Sequence, residues 1–177
     1  MTIPTLTTER LLLRPFSAAD AGPLQQILSD KVVLRYMPTT EPPDRRRVGR
    51  LIEQQLGHWA EHQFGWWAVE RRAEPGLIGW CGLTHLPETG QDEVAYLFGR
   101  AYWGRGYASE AARASLEFGF AQRDLKQIIG LTHPENVASQ NVLKKLGLTF
   151  VDQICCFGMT CRRYSIEAEE FEFELGV

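Results

Sequence analysis

The sequence predicts an α/β fold, with a mixed and mostly antiparallel sheet of about six to seven strands flanked by about four helices. Three successive strand-like runs are separated by the turn clusters Glu74-Pro75-Gly76 and Pro87-Glu88-Thr89-Gly90, which is typical of an antiparallel meander. Before this meander apolar residues recur at helical spacing, and after it helix-like and strand-like segments alternate. The predicted order of elements is β-α-α-β-β-β-α-β-α-β-β.

The first strand and the first helix lie near the N-terminus. Leucines at positions 11–13 open the strand, and Ser17 is placed to cap the helix, with Asp20 giving a weaker form of the capping box. We expect this helix to end near Leu28. Prolines then interrupt the stretch from Lys31 to Pro43, which predicts an irregular connection to the next helix.

A second helix begins after Asp44, whose side chain is expected to cap it. The apolar residues of this helix share one face, which predicts that most of them are core. They are Val48, Leu51, Ile52, Leu56 and Trp59. The strands of the meander follow, at Gly65 to Glu70, Leu77 to Leu86 and Glu93 to Phe98.

The second half of the chain completes the fold with two more helices and three more strands. One helix covers Glu110 to Gln122, and a shorter helix is entered after Pro134 and stopped by Gly147 at its C′ position. The strands lie at Gln127 to Leu131, near Thr149 to Cys156 and at Met159 to Glu167.

The composition predicts one domain of ordinary size, spanning residues 1–177. The chain has 177 residues, of which 44% are hydrophobic, and a formal net charge of -3. A chain of this length can bury a core, and its charge gives no broad basic field for nucleic acid. We find no leader-like N-terminus and no apolar run near the roughly 18 residues that a membrane span requires. We therefore expect a cytoplasmic protein that binds neither nucleic acid nor membranes.

The cysteines and histidines are not expected to hold a metal. Cys81, Cys155, Cys156 and Cys161 show no C-x-x-C spacing, so we expect free, buried thiols without a disulfide. The segment His58-Trp59-Ala60-Glu61-His62 fits the H-x-x-E-H pattern of one class of zinc proteases. Because both histidines flank the apolar stripe of the second helix and no third ligand is evident, we expect half-buried imidazoles instead.

The segment from Trp103 to Ser109 has the features of an anion-binding turn. It lies between a strand and a helix, and its small residues let the backbone turn tightly. The first free N–H groups of the helix point outward, at the positive end of the helix dipole. An ATP-type P-loop is excluded because no Lys-Ser or Lys-Thr pair follows. The dinucleotide fingerprint matches at Gly104 and Gly106 but meets Ser109 where its third glycine is required.

A second segment, from His133 to Gly147, makes the interpretation of this turn more specific. Together the two segments resemble the GNAT superfamily of acetyl-CoA-dependent N-acetyltransferases. In that family a Gln/Arg-x-x-Gly-x-Gly/Ala loop holds the coenzyme A pyrophosphate, and an Asn-x-x-Ser/Ala segment flanks the pantetheine arm. The loop maps with Trp103 at its first position, Gly106 at the glycine and Ala108 at the last position. Trp103 departs from the Gln/Arg of the family.

The sequence is most similar to the subgroup that includes the ribosomal-protein N-terminal alanine and serine acetyltransferases, where tryptophan is usual at the first loop position. The similarity spans most of the chain and is carried by Thr8 to Pro15, Glu93 to Tyr96, Tyr102 to Ala108 and the segment around Asn136. It implies a GNAT-like sheet, acetyl-CoA as cosubstrate, no metal, and direct transfer of an acetyl group to a primary amine.

The resemblance also implies roles for individual residues. Glu93 matches a carboxylate that serves as general base, directly or through water, and Ser139 matches a serine able to protonate the departing thiolate. The tyrosine that many members use for this step is replaced by Leu143. Free N–H groups are expected at residues 97–99, with that of Leu97 as oxyanion donor. The residues expected to hold the coenzyme are Leu97, Phe98, Gly99, Trp103, Gly104, Arg105, Gly106, Tyr107, Ala108, Ser109, Asn136, Ser139, Asn141 and Lys144.

The acidity of the acceptor amine favours a protein or peptide N-terminus. An α-amino group with a pKa of about 8 is already substantially neutral near pH 7.5, whereas a lysine with a pKa of about 10.4 needs about 4 kcal/mol to lose its proton. A single modest base therefore suits the α-amine better. A polyamine, an amino-sugar antibiotic and a non-catalytic acyl-CoA sensor are the alternatives, and we expect a monomer or a homodimer.

Two further groups of residues leave alternatives open. One group either lines an acceptor pocket or is ordinary core. It consists of Tyr36, Met37, Trp59, Trp66, Trp67 and Trp80. The acidic tail from Glu167 to Glu174 includes Phe171 and Phe173, and it forms either an exposed strand or a dimer contact.

Overall fold

Eight strands form one sheet in the computed structural model, which describes residues 2–173. The strands are β1 (Leu6–Thr7), β2 (Leu11–Arg14), β3 (Trp66–Arg71), β4 (Glu74–Leu86), β5 (Gln91–Phe98), β6 (Gln127–Thr132), β7 (Thr149–Cys156) and β8 (Met159–Glu167). The α-helices are α1 (Ala21–Leu28), α2 (Arg45–His62), α3 (Tyr107–Arg123) and α4 (Val137–Lys145). Across the sheet the strands follow the order β1-β2-β3-β4-β5-β6-β8-β7.

The predicted fold class is confirmed, with one strand more than expected. The additional strand is β1, which has two residues and pairs with β2. All neighbouring strands are antiparallel except β5 and β6, which are parallel. The sheet is therefore mixed and mostly antiparallel.

Two helical layers cover the two faces of the sheet. On one face, Leu24 of α1 and Ile52 of α2 pack with Trp80 and Leu97. On the other face, α3 and α4 pack with the residues next to these in the strands, such as Phe98. Neighbouring strand residues point to opposite faces, so each strand contributes to both cores.

The start of α2 and most of its predicted apolar face agree with the sequence, and Leu56 is the exception. Asp44 caps the helix as predicted, because its Oδ1 accepts the Arg47 N–H at 2.7 Å. Leu56 was expected in the core and is 37% exposed. Gln55 is buried in its place, on the face that also carries the buried Val48, Ile52 and Trp59.

The tail and the cysteines each depart in part from the prediction. Glu167 ends β8, Ala168–Glu170 forms a 3-10 turn, Phe171 is buried and Phe173 is 48% exposed, so residues 168–173 do not form a strand. Glu174 lies outside the described residues, and a dimer contact stays a prediction. All four cysteines are free, and Cys155 is the one that is exposed rather than buried, because neighbouring β7 side chains alternate between faces.

No helix within residues 2–173 combines the length and the apolar character needed to span a bilayer.

Arg14 ties the first helical segment to the sheet. Its guanidinium donates to both carboxylate oxygens of Asp20, at 2.8 and 2.7 Å, and to Glu70 Oε1 at 2.6 Å. Asp20 is buried and also accepts the Ser17 N–H at 2.7 Å. The predicted helix start is a 3-10 turn at Ala18–Asp20, which leads directly into α1. Burial raises the pKa of Asp20, but the Arg14 guanidinium and the Ser17 N–H outweigh it and hold that pKa below its usual value.

Replacing Arg14 by Met should lower the free energy of unfolding by about 3 kcal/mol, because it leaves a buried carboxylate without its cation. The loss should be complete near neutral pH. It should shrink as the pH falls through the lowered pKa of Asp20, where the carboxylate becomes neutral. Urea titrations at several pH values measure this, with Arg50→Met at an exposed position of α2 as the matched control. Equal stability of the two variants would contradict the role of Arg14.

Candidate active site

A cleft of about 850 Å³ opens beside β5. Its walls come from the connection between α1 and α2, from β4 and β5, from the turn before α3 and from α4. Most of the predicted site residues meet around it: Glu93, Leu97, Phe98, Trp103, Gly104, Gly106, Tyr107, Ala108, Asn136 and Ser139.

The other predicted coenzyme residues lie outside the lining of this cleft. They are Gly99, Arg105, Ser109, Asn141 and Lys144. The Gly99 N–H is not free as predicted, because it donates to the Ile78 carbonyl at 2.9 Å. Arg105, Asn141 and Lys144 are exposed, and their contacts with coenzyme phosphates stay predictions.

The sheet splits beside the cleft because β5 and β6 pair at one position. Among the described residues, their parallel register is limited to Glu93 opposite Ile129. In contrast, β5 stays paired with β4 as far as Phe98. Beyond Glu93, one edge of β5 therefore has no strand beside it.

The register decides which β5 peptide groups face this open edge. The Gly99 N–H points to β4, and the peptide groups of a strand alternate between its two edges. The N–H of Leu97 therefore also faces β4, and the N–H groups of Tyr96 and Phe98 face the split. The expected oxyanion donor, Leu97, does not fit this register, and Tyr96 and Phe98 are the β5 residues whose N–H groups face the open edge.

The turn before α3 has the geometry of an anion site. Gly104 and Gly106 have φ angles of 69° and 80°, in the left-handed region that glycine adopts readily. The helix begins at Tyr107, before the predicted start at Glu110. The Glu110 N–H donates to the Gly106 carbonyl at 3.0 Å, so the N–H groups of residues 107–109 precede the first intrahelical bond. These three donors point outward from the end of the helix.

Thr8 and Arg10, in the turn between β1 and β2, support the anion turn through Glu110. The Arg10 Nε donates to Glu110 Oε2 at 2.7 Å, and the Thr8 hydroxyl donates to Oε1 at 2.6 Å. Arg10 Nη1 also donates to the Arg105 carbonyl at 2.9 Å, and its guanidinium lies 4.8 Å from the ring centre of Tyr107. Sequence reasoning used this N-terminal segment only for its resemblance and missed the support that it gives.

Glu93 lies where β5 and β6 separate. It is 7% exposed, and its Oε1 accepts the Leu131 N–H at 3.2 Å. If the pairing of β5 with β6 continued, the Leu131 N–H would donate to a β5 carbonyl. The carboxyl group of Glu93 accepts this N–H instead, at the point where the pairing ends. Burial raises the pKa of Glu93 from 4.5 to about 8, and the Leu131 N–H offsets this only in part. Such a group can exchange a proton near neutral pH, as a general base must.

Ser139 and Tyr96 form a pair of hydroxyl groups beside α4. Their oxygens are 2.9 Å apart, and burial raises the pKa of the Tyr96 phenol, which stays protonated. Asn136 Oδ1 accepts the Ser139 N–H at 3.2 Å and so caps α4. Sequence reasoning missed Tyr96, because it looked for a tyrosine on α4 at Leu143, whereas the phenol comes from β5.

Of the six residues that were predicted either to line an acceptor pocket or to be core, four line the cleft and two are core. Tyr36, Met37, Trp66 and Trp80 line the cleft. In contrast, Trp59 and Trp67 are fully buried, with their ring centres 4.8 Å apart in an edge-to-face contact. The cleft therefore has an aromatic wall on the side of the sheet that α1 and α2 cover.

The histidines of the H-x-x-E-H segment are half-buried, as expected, and engaged in protein contacts. His58 Nδ1 donates to the Phe64 carbonyl at 2.8 Å, and its Nε2 accepts the His85 N–H at 3.0 Å. The His62 ring stacks on that of His85, with 5.0 Å between centres. In the part of the chain that the structure describes, no three His, Cys, Asp or Glu side chains are arranged to hold a metal.

Replacing Glu93 by Gln should change how stability depends on pH. Because the pKa of Glu93 is raised, the folded protein keeps a proton that the unfolded chain loses above about pH 4.5. The wild-type protein should therefore lose stability relative to Glu93→Gln as the pH rises from about 4.5 to about 8. Urea titrations at about pH 5 and about pH 8.5 measure the difference. A difference that is the same at both pH values would contradict the raised pKa.

Known proteins share both the sequence pattern and the fold. Residues 10–149 match the family model of the acetyltransferase (GNAT) domain. The uncharacterized N-acetyltransferase p20 of Bacillus licheniformis is 34% identical over 143 residues, which cover 80% of each chain. A GNAT-family acetyltransferase from Bacillus anthracis superposes with a TM-score of 0.82 at 26% identity, over 94% of this chain and 100% of that chain.

A ribosomal-protein-S5-alanine acetyltransferase from Vibrio fischeri shares the fold, with a TM-score of 0.73 at 17% identity, over 96% of this chain and 99% of that chain. The family match covers most of the chain, including the split between β5 and β6, the turn before α3 and Glu93. This chain belongs to the GNAT family of acetyltransferases, which use acetyl-CoA.

Proposed function

We propose that this acetyltransferase acts on the N-terminal α-amine of a protein or peptide, with Glu93 as general base. The proposal rests on the position and the acidity of Glu93. This carboxyl group is buried in the cleft at the point where the β5 edge opens, and its pKa is raised to about 8.

The pKa of Glu93 matches that of an α-amine. An α-ammonium group has a pKa of about 7.7 to 8.0, so its proton moves to Glu93 at almost no free-energy cost. A lysine ammonium has a pKa of about 10.4, and the same transfer would cost about 3 kcal/mol. Proton transfer to a single carboxylate is most effective when the two pKa values are close. The match therefore supports an α-amine acceptor over a lysine side chain.

The walls of the cleft fit acetyl-CoA. Its diphosphate needs several N–H donors, and residues 107–109 offer them at the positive end of α3. Its pantetheine amides need main-chain partners, and the N–H groups of Tyr96 and Phe98 face the split in the sheet. When bound, the thioester supplies an acetyl group that is activated toward attack by an amine.

The remaining steps of the reaction have candidate residues in the same cleft. The N–H of Tyr96, which is the nearer of the two to Glu93 along β5, takes the role of donor to the oxyanion that forms as the amine adds to the acetyl carbonyl, and the Phe98 N–H is left for the pantetheine arm. The Ser139 hydroxyl gives a proton to the thiolate when the C–S bond breaks and regains one through the Tyr96 phenol, 2.9 Å from it, which takes its own replacement proton from solvent. Glu93 takes up the proton that the amine releases and passes it to solvent, so both groups return to their starting states.

Peptides whose sole amine is the N-terminus should be better acceptors than peptides with a blocked N-terminus and one lysine. We expect kcat/KM to differ by at least about tenfold, because of the cost of deprotonating lysine. Release of free thiol from acetyl-CoA measures turnover, with polyamines and amino sugars in the same panel. A preference for lysine or a small amine would contradict the proposed acceptor. Coenzyme binding without thiol release for any amine would indicate a sensor.

Replacing Glu93 by Gln should lower kcat by about 100-fold near pH 7.5, a typical loss for a general base, while the coenzyme Kd stays almost unchanged. The wild-type kcat should rise with pH and level off above about pH 8 as Glu93 loses its proton. The kcat of Glu93→Gln should not show this rise. Steady-state kinetics and calorimetric binding provide the two values. Glu135→Gln, at an exposed position before α4, is the control. An unaltered kcat would remove Glu93 from the mechanism.

A further inference from the structure

The buried face of α2 carries a glutamine whose side-chain oxygen lacks a hydrogen-bond partner among the described residues. Gln55 lies one turn after Ile52 and one turn before Trp59, and it is 9% exposed. Its Oε1 is shielded from solvent and has no hydrogen-bond donor among the described residues. An unpaired buried acceptor costs about 1–3 kcal/mol, and natural proteins rarely retain one without a reason. Gln55 lines the cleft, so a ligand there can supply the missing donor.

A second unpaired polar atom belongs to another residue of the cleft wall. It is the indole Nε1 of Trp66, which is buried and has no acceptor among the described residues. The indole N–H groups of Trp67 and Trp103 each donate to a backbone carbonyl. The Trp66 ring is held in place, because it stacks on Trp80 with 3.7 Å between ring centres and an angle of 10°. A fixed donor that lacks an acceptor is suited to bind one from a ligand.

Gln55 and Trp66 belong to neighbouring parts of one wall. The Trp59 indole, one turn beyond Gln55 on the same face of α2, donates to the Trp66 carbonyl at 3.1 Å. Gln55 presents an acceptor and Trp66 presents a donor, and the two are not bonded to each other.

This wall and Glu93 share one face of the sheet. Trp80 lies opposite Leu97, and side chains two and four residues earlier in β5, at Ala95 and Glu93, point to the same side as Leu97. This is the face that α1 and α2 cover. An acceptor that enters between α2 and the sheet therefore meets Glu93 and this wall on the same face.

We propose that Gln55 and Trp66 bind the first peptide bond of the acceptor. The amide N–H donates to Gln55 Oε1, and the amide carbonyl accepts the Trp66 indole N–H. This inference rests on the proposed function and adds recognition of the acceptor main chain to it. A protonated polyamine carries donors only and leaves the Trp66 N–H unpaired, whereas a secondary amide satisfies both groups.

Two matched acceptors test the proposal. Alanine N-methylamide and alanine methyl ester have similar size and an α-amine, but the ester lacks the amide N–H. The wild-type protein should favour the amide by about tenfold in kcat/KM, the value of one well-placed hydrogen bond. Gln55→Leu should bring this ratio close to one. Gln54→Leu, at an exposed position on α2, is the matched control and should keep the wild-type ratio.

Equilibrium binding provides a readout that does not depend on turnover. Lactic acid N-methylamide carries a hydroxyl in place of the amine and cannot form the N-acetyl product. Calorimetry should show about tenfold weaker binding of this analogue to Gln55→Leu and to Trp66→Phe than to the wild-type protein. Urea titration should find Gln55→Leu at least as stable as the wild-type protein, because the substitution removes an unpaired buried acceptor.

The outcomes separate this inference from the proposed function. Equal kcat/KM for the amide and the ester in the wild-type protein would overturn the inference and leave α-amine acetylation intact. Failure of every α-amine to release thiol would overturn the proposed function. In that case the binding measurements decide the inference alone: weaker binding of the analogue to the two variants supports it, and unchanged binding overturns it.

Discussion

The separation of β5 from β6 after a single pair is the constraint on which the site depends. In a continuous sheet the N–H groups of Tyr96 and Phe98 would donate hydrogen bonds to the neighbouring strand, and no cleft would open between the strands. The split leaves those groups free and opens the cleft at the same time. Glu93 stabilises the point of separation, because its carboxyl group accepts the Leu131 N–H that a β5 carbonyl would otherwise accept. One side chain therefore ends the ladder and faces the cavity that results.

The chemistry of Glu93 follows from the same position. A carboxyl group at a strand end usually meets water and stays ionised, but here the flanking strands and helices bury it. Its protein hydrogen bond is a single main-chain N–H, which compensates only part of the lost hydration. The group is therefore poised to gain and lose a proton near neutral pH. The burial of Glu93 and its raised pKa are therefore two aspects of one placement.

Local signals in the sequence predicted most helices, strands and turns of this protein. The errors arise where contacts between distant segments determine which side chains are buried and which main-chain groups face the cleft. The cap at Asp44 and the glycine turn before α3 depend on a few adjacent residues, so both could be read directly. The predicted apolar face of α2 holds at Val48, Ile52 and Trp59 but not at Leu56, because Gln55 is the residue that faces inward at that turn. Whether the N–H of Leu97 or those of its neighbours Tyr96 and Phe98 face the split depends on the register of β5 against β4, which the residues of β5 alone do not specify. The meeting of Tyr96 with Ser139 likewise exists only once β5 and α4 have come together.

The link between Arg10 and Glu110 has a consequence for how the protein reaches its native state. These two residues are 100 positions apart in the chain, and contacts between such distant residues form slowly because a long loop must close first. During synthesis the N-terminal turn emerges well before α3, and it must wait for its partner. The turn before α3 therefore acquires its full support late, when most of the sheet is already assembled. Any ligand that needs this supported turn meets it only in the nearly finished protein.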